Sequence, residues 1–324
     1  MRHLIIYSLL SPILLTSSFA VSSQRGVWFW GSGGDPWGST NVVGDAEKET
    51  AARNIFTANG IANVYGSYSN RPVSEASTIA AWNTSLDTLG ITSDLLMSEN
   101  SWLEPINHSS MTDKIQDRLL TFNAGVSESA RFRGLHLDIE PQALATWSGM
   151  DGLEKKAELY KLLDLYNVAR TYLDDNGGSA ITLAADLPVW FDSSPSIAWT
   201  DISERDAWFD SVATVLDSIS LMPFDRDTFS SIDSGVNWER ENIFDAAVRV
   251  GLETDILGTW PTTAAFFAMA DTIESTYGES TGIDIQAFTT FAPIAPTAIP
   301  EPGTVLYFLG GAIFALRKTY HRRK

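Results

Sequence analysis

Cysteine is absent from this 324-residue chain. That excludes disulfide scaffolds, thiol nucleophiles, iron–sulfur clusters and Cys-ligated zinc. Histidine is scarce. Of four, His3 and His321 lie near the ends, leaving His108 and His136 in the body, too few for a His-rich metal hydrolase. Positive charge is scarce as well: positions 21–299 hold 16 basic residues against 39 acidic ones, a net charge of −23. Such a surface repels phosphate backbones, so nucleic acid is a poor partner, while neutral and cationic ligands stay open. The apolar run Thr304–Leu316 is only thirteen residues, short for a full membrane span. What remains, 44% hydrophobic and 19% charged with 23 Gly and 13 Pro, is globular composition, which excludes disorder, collagen and coiled coil.

Both ends read as address labels. Met1-Arg2-His3 is a basic start, Leu4–Leu15 an apolar run, and Ser18-Phe19-Ala20 supplies small residues for cleavage. Residues 1–20 therefore read as a secretory signal peptide. At the other end, five positive charges follow Thr304–Leu316, which places that tail on the cytoplasmic side. Pro300-Glu301-Pro302, an apolar helix with Gly310-Gly311 and an Arg/Lys cluster together resemble a PEP-CTERM sorting signal over 296–324. The resemblance implies a Gram-negative host, signal peptidase and exosortase as export partners, and transient membrane anchoring by the C-terminal helix. It also implies a final location outside the inner membrane, secreted or at the cell surface. Residues 21–295 are left as the working domain.

That domain alternates strand-like and helix-like patterns. Strand-like runs are Gly26–Trp30, Ile61–Tyr68, Ser93–Ser98, Gly134–Ile139, Ala180–Leu187, Ser218–Phe224, Val248–Glu253 and Ile283–Thr290. Helical spacing is plainest at Leu153, Ala157, Tyr160, Leu163, Tyr166 and Leu173, closed by Asn176-Gly177-Gly178. Other helices fit Ala46–Ala58, Ser74–Leu89, Met111–Ala124, Glu204–Leu216, Trp238–Ala247 and Thr262–Tyr277. Eight strands with seven intervening helices predict a single α/β domain, a (β/α)8 TIM barrel. A doubly wound sheet would show a glycine fingerprint after its first strand; Gly31-Ser32-Gly33-Gly34 lacks that spacing, and Asp35 adds a charge hostile to phosphate.

A barrel draws its chemistry from the carboxyl ends of its strands. In the fourth strand, Arg133-Gly134-Leu135-His136-Leu137-Asp138-Ile139-Glu140-Pro141, period two puts His136, Asp138 and Glu140 on one face and the aliphatics on the other. The aliphatic face suits the helix layer, so the polar face should point inward. Two carboxylates two residues apart push their pKa values apart, which is how one becomes an acid near neutral pH. The structural alternative is a buried network tied to Arg133 or another cation. Metal-assisted hydrolysis through His136, Asp138 and Glu140 is disfavoured, since alternate residues on one strand rarely surround an ion. No metal or cofactor is implied.

The strand resembles the D-G-x-D-x-D-x-E signature of family 18 chitinases, with Gly134, Asp138 and Glu140 matching and Arg133 and His136 in place of the first two aspartates. Met222-Pro223-Phe224-Asp225 resembles that family's M-x-Y-D, with Phe for Tyr. This resemblance implies Glu140 as general acid, Asp138 orienting a substrate acetamido group and Asp225 assisting. Ile139-Glu140-Pro141 also resembles the N-E-P of clan A retaining glycosidases, which implies a second carboxylate on the seventh strand; Glu253 ends it. Retaining chemistry needs two carboxyl groups about 5–5.5 Å apart. For Glu253 the alternatives are neutralising Arg249 or capping the next helix.

Trp30, Trp37, Trp102, Trp147, Trp190 and Trp260 fall at or just after expected strand ends, where indole faces suit sugar C–H groups. With Trp30, Trp102, Trp190 and Trp260, a substrate cleft is expected to draw on His136, Asp186, Glu99, Met222 and Phe224, and Asn100 lies beside them. The residues thus predict a glycoside hydrolase-like enzyme acting on an extracellular polysaccharide, oligosaccharide or glycoconjugate. The alternatives are a barrel that binds glycans without cleaving them and a structural matrix protein, which would show no built cleft.

Overall fold

A computed structural model describes residues 25–278 and 281–297. The expected signal peptide at 1–20, the motif Pro300-Glu301-Pro302 and the apolar and basic tail lie outside those residues. Among the described residues no helix is long and apolar enough to cross a membrane.

Eight parallel strands close a barrel in sequence order. They are β1 (Arg25–Phe29), β2 (Ile61–Gly66), β3 (Thr92–Met97), β4 (Gly134–Leu137), β5 (Thr182–Pro188), β6 (Ser218–Met222), β7 (Ala247–Glu253) and β8 (Ile283–Gln286). Closure comes from β1 against β8, with Gly26 opposite Asp284 and Val27 opposite Ile285. Seven longer helices alternate with them: α1 (Ala46–Ala58), α2 (Ala76–Asp87), α3 (His108–Ile115), α4 (Gly152–Asp175), α5 (Ile202–Val215), α6 (Phe229–Asn242) and α7 (Thr263–Tyr277). The expected (β/α)8 barrel is the observed fold.

Local signals explain most boundaries. Asp151 opens α4 by accepting from the N–H groups of Leu153 and Glu154, while the Glu154 carboxylate accepts from the Asp151 N–H, a capping box. Leu159, Leu162, Tyr166, Ala169 and Leu173 of that helix are buried against the barrel. Two expectations need correction. The helix expected over Trp238–Ala247 runs from Phe229 to Asn242, and Ala247 opens β7. Thr228 starts it by accepting from the Ser231 N–H, and buried Ile232, Val236 and Glu239 keep helical spacing through the polar stretch Ser230–Gly235. The helix expected over Met111–Ala124 starts at His108 and passes through a π-type turn, Gln116–Leu120, before its last turn.

The barrel interior is charged. Arg249 on β7 holds Asp284 on β8 through the Nε–Nη2 edge of its guanidinium, at 2.9 Å from Nε and 2.7 Å from Nη2. The Tyr65 and Ser220 hydroxyls donate to the same carboxylate at 2.9 and 2.5 Å. A Cβ at Gly26 would overlap Asp284, and one at Gly134 would crowd Asp94, so glycine at these two positions makes room for the carboxylates. Asp94 accepts from the Gly134 N–H, and burial pushes it up to about 6 against the pull of His136 and Arg249. An acid raised in this way contributes its full stability below the unfolded value, about 3.9, and loses it as pH rises through the folded value. Asp94→Asn is therefore expected to melt at a higher temperature than the wild type near pH 8. That gain should shrink between pH 6 and 4; a gain of equal size in acid would contradict the assignment.

Candidate active site

Strand β4 ends at Leu137, and the chain carries its polar face onward. The Asp138 N–H donates to Met97 O at 3.0 Å, extending the β3 ladder by one residue. The Glu140 N–H then donates to Asn100 Oδ1 at 2.8 Å. Leu135, Leu137 and Ile139 are buried in the helix-facing core, so His136, Asp138 and Glu140 share the inner face, as the alternation predicted. Arg133 takes no part: its guanidinium faces Asp87 and Glu128 at 3.8 and 3.6 Å.

The three inner residues form a ladder from the barrel's middle to its mouth. His136, fully buried, meets Asp186 of β5 through Nε2 and Oδ1 at 2.7 Å. The other Asp186 oxygen accepts from the Trp28 indole N–H at 3.1 Å. Burial alone would lower His136, but the carboxylates of Asp186, Asp284 and Asp94 outweigh it and hold the imidazole above its ordinary value. Above that pair, Asp138 is pushed far up by burial, then by the charges of Asp186 and Glu140, and it donates a hydrogen bond to Glu140. Glu140 is raised by burial and by Asp186, with the bond from Asp138 and one from Gln142 Nε2, 3.1 Å long, working the other way. Two like charges this close cannot both ionise at low cost. Both groups are therefore pushed toward the protonated form and titrate as one carboxyl–carboxylate couple at the barrel mouth. Among the described residues no three His, Asp or Glu side chains are grouped to hold a metal ion.

This barrel, with its carboxyl pair past the fourth strand, is similar to solved glycosidases. One is the C-terminal domain of a protein assigned as a chitinase in Desulfitobacterium hafniense DCB-2 (TM-score 0.55, 9% identity, 84% of this chain and 98% of that one). Another is a chitinase from Bacteroides thetaiotaomicron (0.52, 10%, 87% and 97%). A third is a GH18 chitinase from Pseudoalteromonas aurantia (0.51, 10%, 82% and 95%). The chain shares the (β/α)8 barrel fold of these structures. At such identity the likeness is one of fold and carries no activity with it. No protein-family model and no curated protein matches the sequence.

Within the barrel, the other expected site residues scatter. His136 and Asp186 lie beneath the mouth, not in it: they are 0% and 2% exposed, and both Asp186 oxygens are taken. Trp102 and Trp260 are each 2% exposed. The Lys114 ammonium covers one ring at 4.7 Å, and the other donates its N–H to Glu253 O at 2.7 Å. Both are packing residues, because a strand-end position does not fix the side to which an indole turns. Trp147 and Trp190 pack against each other at an interplanar angle of 57° with centroids 6.0 Å apart, and Trp37 packs on Phe288. Of the six indoles only Trp30, 42% exposed, stands clear.

Glu253 ends β7 with one oxygen engaged by the Asp225 N–H at 2.9 Å and the Thr259 hydroxyl at 2.6 Å. It pairs with neither Arg249 nor the carboxyl couple; the groups that shift Asp138 and Glu140 are each other, Asp186 and Gln142. Asp225 is exposed with φ 62°, while Met222 and Phe224 are half-buried. Glu99 is exposed and reaches Ser101 and Lys114. Sequence reasoning missed Trp28, Tyr65, Asp94, Ser220, Asp284 and Gln142. The usable signal for Asp94 and Asp284 was a lone acid on an otherwise apolar strand.

Proposed function

We propose that the protein is a glycoside hydrolase in which Glu140 protonates the departing glycosidic oxygen. The observation that carries this is the Asp138–Glu140 couple, two carboxyl groups in contact at the carboxyl end of a barrel strand, each raised by burial and by the charge of Asp186. Glu140, the more exposed of the two, takes the couple's proton from Asp138 and delivers it as the C–O bond breaks. Asp138 orients a substrate 2-acetamido group, whose carbonyl oxygen attacks the anomeric carbon. Water then opens the cyclised product and returns its proton to Glu140. Asp225, at the end of the sixth strand, assists. The engagement of Glu253 in the loop of Asp225 and Thr259 favours this scheme over a second protein carboxylate as nucleophile.

The test is hydrolysis of a chromogenic chitobioside beside its N-deacetylated counterpart. Turnover of the first alone supports the reading; equal turnover of both contradicts the acetamido role. A glycan-binding barrel without turnover is the second reading, favoured by Phe224, which offers no hydroxyl where the related motif has Tyr. Binding of chitotetraose with no cleavage would select it. The same account has the chain exported and sorted through its two ends and working on polysaccharide at or beyond the cell surface, which the terminal sequence patterns support.

Asp186 gives a test of the ladder. Its negative charge raises both Asp138 and Glu140. Asp186→Asn should lower both, so the alkaline limb of the kcat/KM profile moves toward acid. An unmoved limb with reduced rate would make Asp186 a packing residue only.

A further inference from the structure

At the carboxyl ends of β2 and β3 lies a pocket of about 280 Å3. Met97, whose carbonyl accepts from the Asp138 N–H, is part of its wall, so pocket and couple share a strand end. Its polar lining is Ser67, Ser69, Ser98, Glu99, Lys114 and Arg118. Two of the charges answer each other: Lys114 Nζ is 3.6 Å from Glu99 and also covers the Trp102 ring. Arg118 is different. Among the described residues its guanidinium makes no hydrogen bond or ion pair, and the hydroxyls of Ser67, Ser69 and Ser98 make none either. Asp117 acts on Arg118 only through space, and partial burial of the guanidinium outweighs it.

A half-buried guanidinium with unused donors fits an oxyanion by its planar fork, and three free hydroxyls can bind the remaining oxygens. We propose that this pocket is a subsite for an anionic substituent, a carboxylate or a sulfate, on the glycan that the Asp138–Glu140 couple cleaves. The inference rests on the glycan reading of the site and names the substrate class: an acidic polysaccharide. The surrounding body is strongly acidic and repels free anions at range. The pocket therefore holds an anion best when a sugar chain seated at the couple delivers it, as tethering raises local concentration.

The experiment follows the Arg118 Nε–Hε resonance and the affinity as the purified protein is titrated with methyl glucuronide, glucose 6-sulfate and methyl glucoside. An anionic sugar is expected to move the resonance while the neutral one does not. Arg118→Gln should weaken the anionic sugar at least about tenfold, the scale of a lost charged hydrogen bond, and Arg118→Lys should keep part of it. Response to the glucuronide alone assigns carboxylate, and response to the sulfate alone assigns sulfate. Equal binding of all three sugars, or no Arg118 response to either anion, overturns the proposal. Hydrolysis of the neutral chitobioside is scored separately. A protein that cleaves it but ignores the anions keeps its function and loses this subsite; one that binds the anions without cleaving anything keeps the subsite and loses the hydrolase reading.

Discussion

Glu140→Gln is expected to lower kcat on a chito-oligosaccharide by about 10²–10⁴-fold, the usual worth of a positioned general acid, with binding within a few-fold of wild type. The amide is nearly isosteric and still accepts from Gln142, so the mouth keeps its shape. What it loses is the proton. Gln also accepts the hydrogen bond from Asp138 while ending the like-charge contact that raises Asp138. The variant should thus lose turnover while its neighbour titrates at a lower pH. Isothermal titration with chitotetraose beside a turnover assay separates the effects. Unchanged turnover would remove the catalytic assignment, and lost binding at unchanged melting temperature would make Glu140 a ligand contact instead.

The second large effect lies deeper. Arg249→Met should destabilise the fold by about 3–5 kcal/mol, because it strands Asp284 as an uncompensated charge inside the barrel. Burial pushes Asp284 up, but Arg249 and Ser220 hold it below its ordinary value in the intact protein. A depressed acid contributes stability above its unfolded value and loses it as pH falls through the folded one. The deficit of the variant should therefore be largest near neutral pH and narrow in acid, where Asp284 is protonated in either protein. Denaturant melts at several pH values read this directly. Adding Asp284→Asn should recover part of the loss, since the stranded charge is then gone. A deficit that persists after that second change would place the cost in lost packing of the arginine stem.

The two networks differ in how far the sequence disclosed them. Strand β4 was legible because Leu135, Leu137 and Ile139 alternate with His136, Asp138 and Glu140, and one period fixed both the strand and its inward face. All eight strands could be located by the same reasoning, and their order in the barrel followed from alternation with helices. Pairing between distant strands left no such trace. Nothing near Asp284 in sequence names Arg249, Tyr65 or Ser220 as its partners, nor does His136 name Asp186, fifty residues away. Tryptophan misled for a related reason. Trp102 and Trp30 both follow a strand, yet one is buried under Lys114 and the other stands in solvent, because the turn after each strand decides the side. The polar opening of α6 fell outside the expected helix because its buried residues, Ile232, Val236 and Glu239, include a carboxylate where an apolar residue is expected.

The account turns on one proton shared by Asp138 and Glu140. The most direct measurement is a carboxyl ¹³C titration of the two side chains in the wild type and in Glu140→Gln. A coupled pair should titrate in two linked steps, with Asp138 keeping its proton well above the ordinary carboxylate range and falling back when Glu140 becomes an amide. Two independent steps near ordinary values, unchanged by the substitution, would contradict the shared proton and the acid–base chemistry built on it.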